Sequence, residues 1–168
     1  RSSDLYIAPM SQGTFEGPIS FHIHGAFAMS WILLYLFQNL MIKIRNYKLH
    51  MSMGVMSILV LVGFFISQLS ALGFVISQNL PEQGEVIYGK SLIAITSSFI
   101  VLLLGLAGLY YRRKTEVHKR LMFLASVIIL WPAWGRWRHY FPDFETKDLW
   151  FQFIIPYSFI LWAWIWEK

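Results

Sequence analysis

Long apolar runs broken by short polar intervals organise this chain. The runs extend from Phe21 to Ile42, Leu49 to Ile76, Ser91 to Tyr111, Leu121 to Tyr140 and Leu149 to Trp166. Each meets or approaches the roughly 20 residues that a helix needs to cross a hydrocarbon core about 30 Å thick. The pattern predicts an all-α fold, a polytopic membrane helical bundle with five transmembrane helices. A polar segment over residues 1–20 comes first and a four-helix core over 21–140 follows. An outer loop and a C-terminal fifth helix occupy 141–168. Short connections make consecutive helices antiparallel neighbours.

Charge in the breaks predicts the orientation. Lys43, Arg45 and Lys48 lie between the first two runs, and Arg112, Arg113, Lys114, Lys119 and Arg120 between the third and fourth. The break from Asn79 to Lys90 carries Glu82 and Glu85, and that from Pro142 to Asp148 carries Asp143, Glu145 and Asp148. Lys and Arg remain on the cytoplasmic side of a membrane. The two basic breaks are therefore expected in the cytoplasm, with the N-terminus and acidic breaks outside. An odd number of spans would put Lys168 in the cytoplasm.

Composition agrees with a bilayer setting. The chain is 57% hydrophobic and 18% aromatic, with 14% charged residues, against about 25% in soluble domains. Mean hydropathy is +0.52. The net charge of +5 sits in short breaks between apolar runs, which is a signature of topology and not of nucleic-acid binding. The absence of cysteine removes disulfides, thiolate metal sites and covalent c-type haem attachment.

The five histidines all lie at the ends of apolar runs, and the expected topology sorts them into two tiers. His22, His24 and His139 fall near the outer surface, and His50 and His118 near the inner one. Each tier joins residues from different helices, as a metal or haem held by two imidazoles requires. His22 and His24 are two residues apart and point in different directions on a helix. His24, deeper and followed by Gly25, is the candidate ligand, and His22 is a rim residue. In an extended segment, His22 and His24 would instead chelate one metal ion with help from His139.

Arg136 lies in the run Trp131-Pro132-Ala133-Trp134-Gly135-Arg136-Trp137-Arg138-His139-Tyr140. Arginine at that depth faces a cavity, the bundle interior or an anion. Arg136 and Arg138 are candidates to pair with haem propionates. Snorkelling to phospholipid is the competing reading, and the three tryptophans read as an interfacial belt. Gln38, Asn39, Gln68 and the serines around them read as interhelical hydrogen-bonding groups. Gly25/Ala28 and Gly105/Gly108 read as close helix contacts. No acidic residue lies in the middle of a run, which argues against a proton pump. No phosphate loop, nucleophile elbow or HExxH motif is present.

With Phe21-His22-Ile23-His24-Gly25, Lys48-Leu49-His50, Gly54, Glu116-Val117-His118-Lys119-Arg120-Leu121-Met122 and Arg136 in order, the chain resembles a family of small multi-pass bacterial membrane proteins of unknown function. The resemblance covers residues 20 to 140 and implies residence in the bacterial inner membrane. The two histidine tiers are also similar to the plan of four-helix dihaem b-type cytochromes. That likeness implies haem b as cofactor, His24 with His139 at an outer haem, and His50 with His118 at an inner one. Electron transfer, with a quinone as a candidate partner, is the function so implied. The alternative is a non-catalytic accessory subunit docked to other membrane subunits through the aromatic fifth helix. A metal site built on His22, His24 and His139 lacks acidic and sulfur ligands and is the weakest of the three.

Overall fold

A computed structural model describes residues 18–141 and 143–166; the side chains of Arg138 and His139 lie outside the described set. The first helix, α1, spans Ile19–Lys43 and starts just after Pro18, whose extended backbone marks the boundary. Lys43 lies in its last turn, where a cation complements the helix dipole. The chain then turns within three residues. Arg45 takes a positive φ of 60°, and Asn46 caps the next helix by accepting from the Leu49 amide at 3.2 Å, a favoured capping arrangement.

Helix α2, Tyr47–Gln83, is 37 residues long, which corresponds to about 55 Å. That is longer than a hydrocarbon core of about 30 Å. The sequence places a loop from Asn79 onward, but the helix continues through Pro81 to Gln83. Proline removes only one backbone bond this near the end. The polar side chains there stitch the ends together: Asn79 donates to the Val75 carbonyl at 2.8 Å, Gln83 to Asn79 at 3.1 Å and Lys90 to Gln83 at 2.8 Å. Gly84, with φ 58°, closes the helix in a left-handed conformation that costs glycine little. Helix α3, Val86–Tyr110, follows almost at once.

Helix α4 spans Thr115–Arg136 and leads through a 3-10 turn, Trp137–Tyr140. Helix α5, Lys147–Trp166, contains a π-helical stretch at Trp150–Ile154. Four helices are long and apolar enough to cross a membrane: α1, α2, α3 and α5. The expected five spans are thus matched in four cases. Helix α4 departs because Glu116, Lys119 and Arg120 occupy its first two turns and Arg136 its end. No strand occurs among the described residues.

The chain divides into two units, the boundary falling inside α4 after Ser126. In the unit of residues 17–126, α1 packs along α2, and α2 along α3. Small residues let large ones in, as is usual between membrane helices. The Phe27 ring fills the space that a side chain at Gly63 would need, and Leu61 does the same at Gly105. Trp31, Leu61 and Val101 are almost completely buried. Trp31 donates its indole N–H to Ser126 Oγ at 3.1 Å, and Ser126 donates to the Met122 carbonyl at 2.9 Å. That chain of bonds ties α4 to the middle of α1. The buried serines 67, 98 and 126 each satisfy a carbonyl on their own helix, as hydroxyls in apolar helices do. Many large apolar side chains are exposed, among them Leu33, Leu36, Leu59, Leu92 and Ile93. Lipid, and not water, is the natural solvent for such a surface.

In the second unit, described from Val127 to Trp166, the end of α4 packs on α5. Pro156 is buried and has no N–H to offer the carbonyl of Gln152, its i−4 partner. Trp131 Nε1 donates to that carbonyl instead. Trp134 lies beside both Trp137 and Phe159, with ring centroids 6.3 and 5.6 Å away. The tryptophans read as a lipid belt thus include two that meet α5.

Candidate functional site

The inner histidines are brought together. His50 is the fourth residue of α2 and His118 the fourth residue of α4. Each backbone amide bonds a carbonyl just before its helix, His50 to Asn46 at 3.1 Å and His118 to Lys114 at 2.9 Å. The two residues therefore hold equivalent positions on different helices. Their ring centroids are 6.3 Å apart and the rings are nearly perpendicular, at 85°. Two imidazoles on opposite sides of one metal ion, each about 2.0–2.1 Å from it, would stand with centroids roughly 6.3 Å apart.

One ring is already oriented. His118 Nδ1 lies 2.7 Å from the Gly108 carbonyl at the end of α3. A carbonyl only accepts, so Nδ1 carries the proton and Nε2 presents its lone pair. A hydrogen bond of this kind from the second nitrogen is the usual support of a metal-ligating histidine. The close approach is possible because residue 108 is glycine: a Cβ there would meet Met122 Sδ at 2.8 Å.

The His50 ring donates a hydrogen bond to the backbone carbonyl of Gln38 on α1. Its Nδ1 is buried without a hydrogen-bond partner, and so are both amide atoms of the Gln38 side chain. One turn into α2, at Gly54, an added Cβ would meet nothing within 4 Å. Gly54 is four residues from His50 and on the same helix face.

This end of the unit is strongly basic. Lys43, Arg45, Lys48, Arg112, Arg113, Lys114, Lys119 and Arg120 are all exposed there, with Glu116 as the acidic neighbour, 2.7 Å from Lys119.

At the far end, His24 packs between α1 and α2. Its ring stacks on Phe64 with centroids 4.8 Å apart. The Ser67 hydroxyl donates to the Phe64 carbonyl at 2.9 Å, so its oxygen accepts from His24 Nδ1 at 3.2 Å. His24 thus has the same tautomer as His118. Ser67 lies 17 residues beyond His50 on α2, about 25 Å along the helix. His22 is half-buried on α1.

The remaining candidates, Arg136, Arg138 and His139, belong to the second unit. His139 and Arg138 belong to the turn Trp137–Tyr140, and their side chains lie outside the described residues, so a pairing of His24 with His139 has no geometry. The metal set of His22, His24 and His139 likewise falls partly outside them. No group of three or more His, Asp or Glu suited to a metal ion occurs among the described residues. Arg136 is exposed and donates from Nη1 to the Pro132 carbonyl at 3.1 Å, a bond within its own helix.

Three contributors escape a sequence reading. Gln38 reads there as an interhelical hydrogen-bonding group and Gly108 as a close helix contact, without any tie of either to the two histidines. Ser126 gives no signal at all, although a tryptophan in mid-helix, away from either interface, marks Trp31 as a group that needs an acceptor. No protein-family model, curated protein or solved structure matches this chain.

Proposed function

We propose that the chain is an integral membrane b-type haem protein that moves electrons, with His50 and His118 as the ligand pair at its basic end. The observation that carries this reading is the perpendicular approach of two imidazoles from different helices at 6.3 Å, one of them fixed through Nδ1 by a backbone carbonyl. The residues suit the group. Both ligands are nitrogen donors on different helices, and the surrounding Lys and Arg side chains suit propionate carboxylates. Haem supplies reversible one-electron chemistry when bound. The protein's part would be to present two imidazoles from different helices, one of them oriented by the Gly108 carbonyl.

His24 is the candidate ligand of a second, outer site, with His139 and the guanidinium groups of Arg136 and Arg138 as its proposed partners. The quinone pool is the proposed electron partner, and the bacterial inner membrane the proposed location. The basic ends of the helices belong in the cytoplasm on this reading. A fifth crossing, by α4, belongs to this proposal, and the bond from Trp31 in the middle of α1 to Ser126 supports it; five crossings would put Lys168 in the cytoplasm.

The test is a reduced-minus-oxidised absorption spectrum with haem extraction, on protein purified in detergent from haem-replete cells. Low-spin b-type bands with about one haem per chain support the inner site, and about two support both tiers. Colourless protein refutes the proposal. A second reading, an accessory subunit of a membrane complex, is favoured by α5, where Leu161, Trp162, Trp164 and Ile165 are exposed. Native mass measurement that yields only monomers contradicts it.

A further inference from the structure

Membrane topology asks only that Lys and Arg gather on one side of the bilayer. It does not ask that separate turns converge on one another. In the unit of residues 17–126 they do. Lys43, Arg45 and Lys48 mark the turn from α1 to α2, and Arg112, Arg113 and Lys114 the turn from α3 to α4. The His50 amide bonds the Asn46 carbonyl and the His118 amide bonds the Lys114 carbonyl, so each ring stands one helical turn from its own basic turn. The ring centroids are 6.3 Å apart. The two turns are thereby joined into one surface.

With Lys119 and Arg120, that surface gathers eight of the chain's 14 Lys and Arg residues, and all eight are exposed. Glu116 is the acidic residue among them, 2.7 Å from Lys119. Like charges at this density repel one another, and an anionic partner relieves the repulsion. Two haem propionates would take up two of the charges, so the haem reading leaves most of them unaccounted for.

The surroundings favour a lipid over a soluble anion. Exposed apolar side chains run directly up to the cations and between them: Leu40, Ile42 and Ile44 along α1 and its turn, Leu49 and Met51 on α2. Tyr47 and Tyr110, 53% and 80% exposed, stand where the apolar surface meets the basic one, and tyrosine settles at that level of a membrane. A molecule with apolar chains and an anionic head matches both surfaces at once.

We propose that this surface binds anionic phospholipid, with phosphate held between the α1–α2 and α3–α4 turns and acyl chains along the exposed apolar side chains of α1 and α2. A lipid with two phosphates, such as cardiolipin, can offer one to each turn and is the strongest ligand of the class. The inference does not depend on haem.

The experiment is native mass spectrometry of the whole chain in detergent, with cardiolipin, phosphatidylglycerol and phosphatidylcholine at equal concentration. Wild type should retain the two anionic lipids in preference to phosphatidylcholine. Lys43→Gln with Lys48→Gln, and separately Arg112→Gln with Arg113→Gln, should each weaken anionic-lipid binding by roughly 10- to 30-fold, the effect of removing two cations from an anionic surface. Arg112→Lys with Arg113→Lys should restore it. Lys90→Gln, which removes a cation at the opposite end of α3, should leave it unchanged. Thermal unfolding in lipid-free detergent should be the same for every variant, which separates loss of lipid from loss of fold. Equal retention of anionic and zwitterionic lipid by wild type overturns the proposal. An equal fall in Lys90→Gln overturns it too, since net charge alone would then govern binding. Displacement of the lipid by inorganic phosphate or polyglutamate at equal concentration would make a soluble anion the ligand, and likewise overturns it.

Discussion

The Nδ1 atom of His118 lies 2.7 Å from the carbonyl oxygen of Gly108, joining the start of α4 to the end of α3. The bond spans ten residues of chain and closes a turn made almost wholly of charged and aromatic side chains, Tyr110 to Lys114. It does two things at once: it anchors a helix start and it selects the tautomer of a candidate ligand. Replacement of His118 should therefore affect fold and ligand together. His118→Asn, which keeps a donor near that position, should lower stability by less than about 1 kcal/mol, whereas His118→Leu should cost roughly 1–3 kcal/mol by leaving a carbonyl without its donor. Reversible unfolding in mixed detergent measures both.

The Trp31–Ser126 bond ties α4 to the middle of α1. Ser126→Ala removes the acceptor but leaves the indole buried. The expected loss is about 0.5–2 kcal/mol, the range for interhelical hydrogen bonds in membranes. Trp31→Ala removes one of the largest buried side chains and should cost about 3–5 kcal/mol. Equal effects of the two substitutions would mean that the bond, and not the packing of the ring, holds the helices together.

A glycine series separates packing from open space. Gly63→Ala drives a methyl group into the Phe27 ring, and Gly105→Ala into Leu61; each should destabilise by about 1–3 kcal/mol. Gly54→Ala meets nothing within 4 Å and should be neutral or stabilising by up to about 1 kcal/mol, from helix propensity alone. Thermal unfolding of the three variants gives both halves of the prediction.

The absence of cysteine permits a clean test of topology. Single cysteines introduced at Arg45 and Arg113 should react only with a reagent applied from the cytoplasmic side, and one at Gly84 only from the outside. A cysteine in place of Lys168 should label from the cytoplasmic side if α4 crosses, and from the outside if only α1, α2, α3 and α5 do.

Much of the architecture was legible in the sequence because a bilayer imposes simple rules of length and polarity. Apolar runs located α1, α2, α3 and α5 to within a few residues at most ends. The C-terminal end of α2 was misread since Asn79, Pro81 and Gln83 look like loop residues; their side chains in fact bond along and between the helix ends. Helix α4 was harder, because its charged first turns are offset by tertiary contacts such as Trp31 with Ser126, which composition does not record. At the candidate site, the matching helix-start positions of His50 and His118 were visible in the sequence. The roles of Gly108 and Gln38 were not, because they come from the opposite ends of other helices and meet the histidines only through antiparallel packing.

The most direct measurement is the low-temperature electron paramagnetic resonance and optical spectrum of oxidised protein for wild type, His50→Ala, His118→Ala and His24→Ala. The account predicts a low-spin bis-imidazole component in wild type, amounting to about one haem per chain, that is lost in both His50→Ala and His118→Ala and kept in His24→Ala. Haem content and low-spin signal unchanged by loss of either His50 or His118 would contradict it.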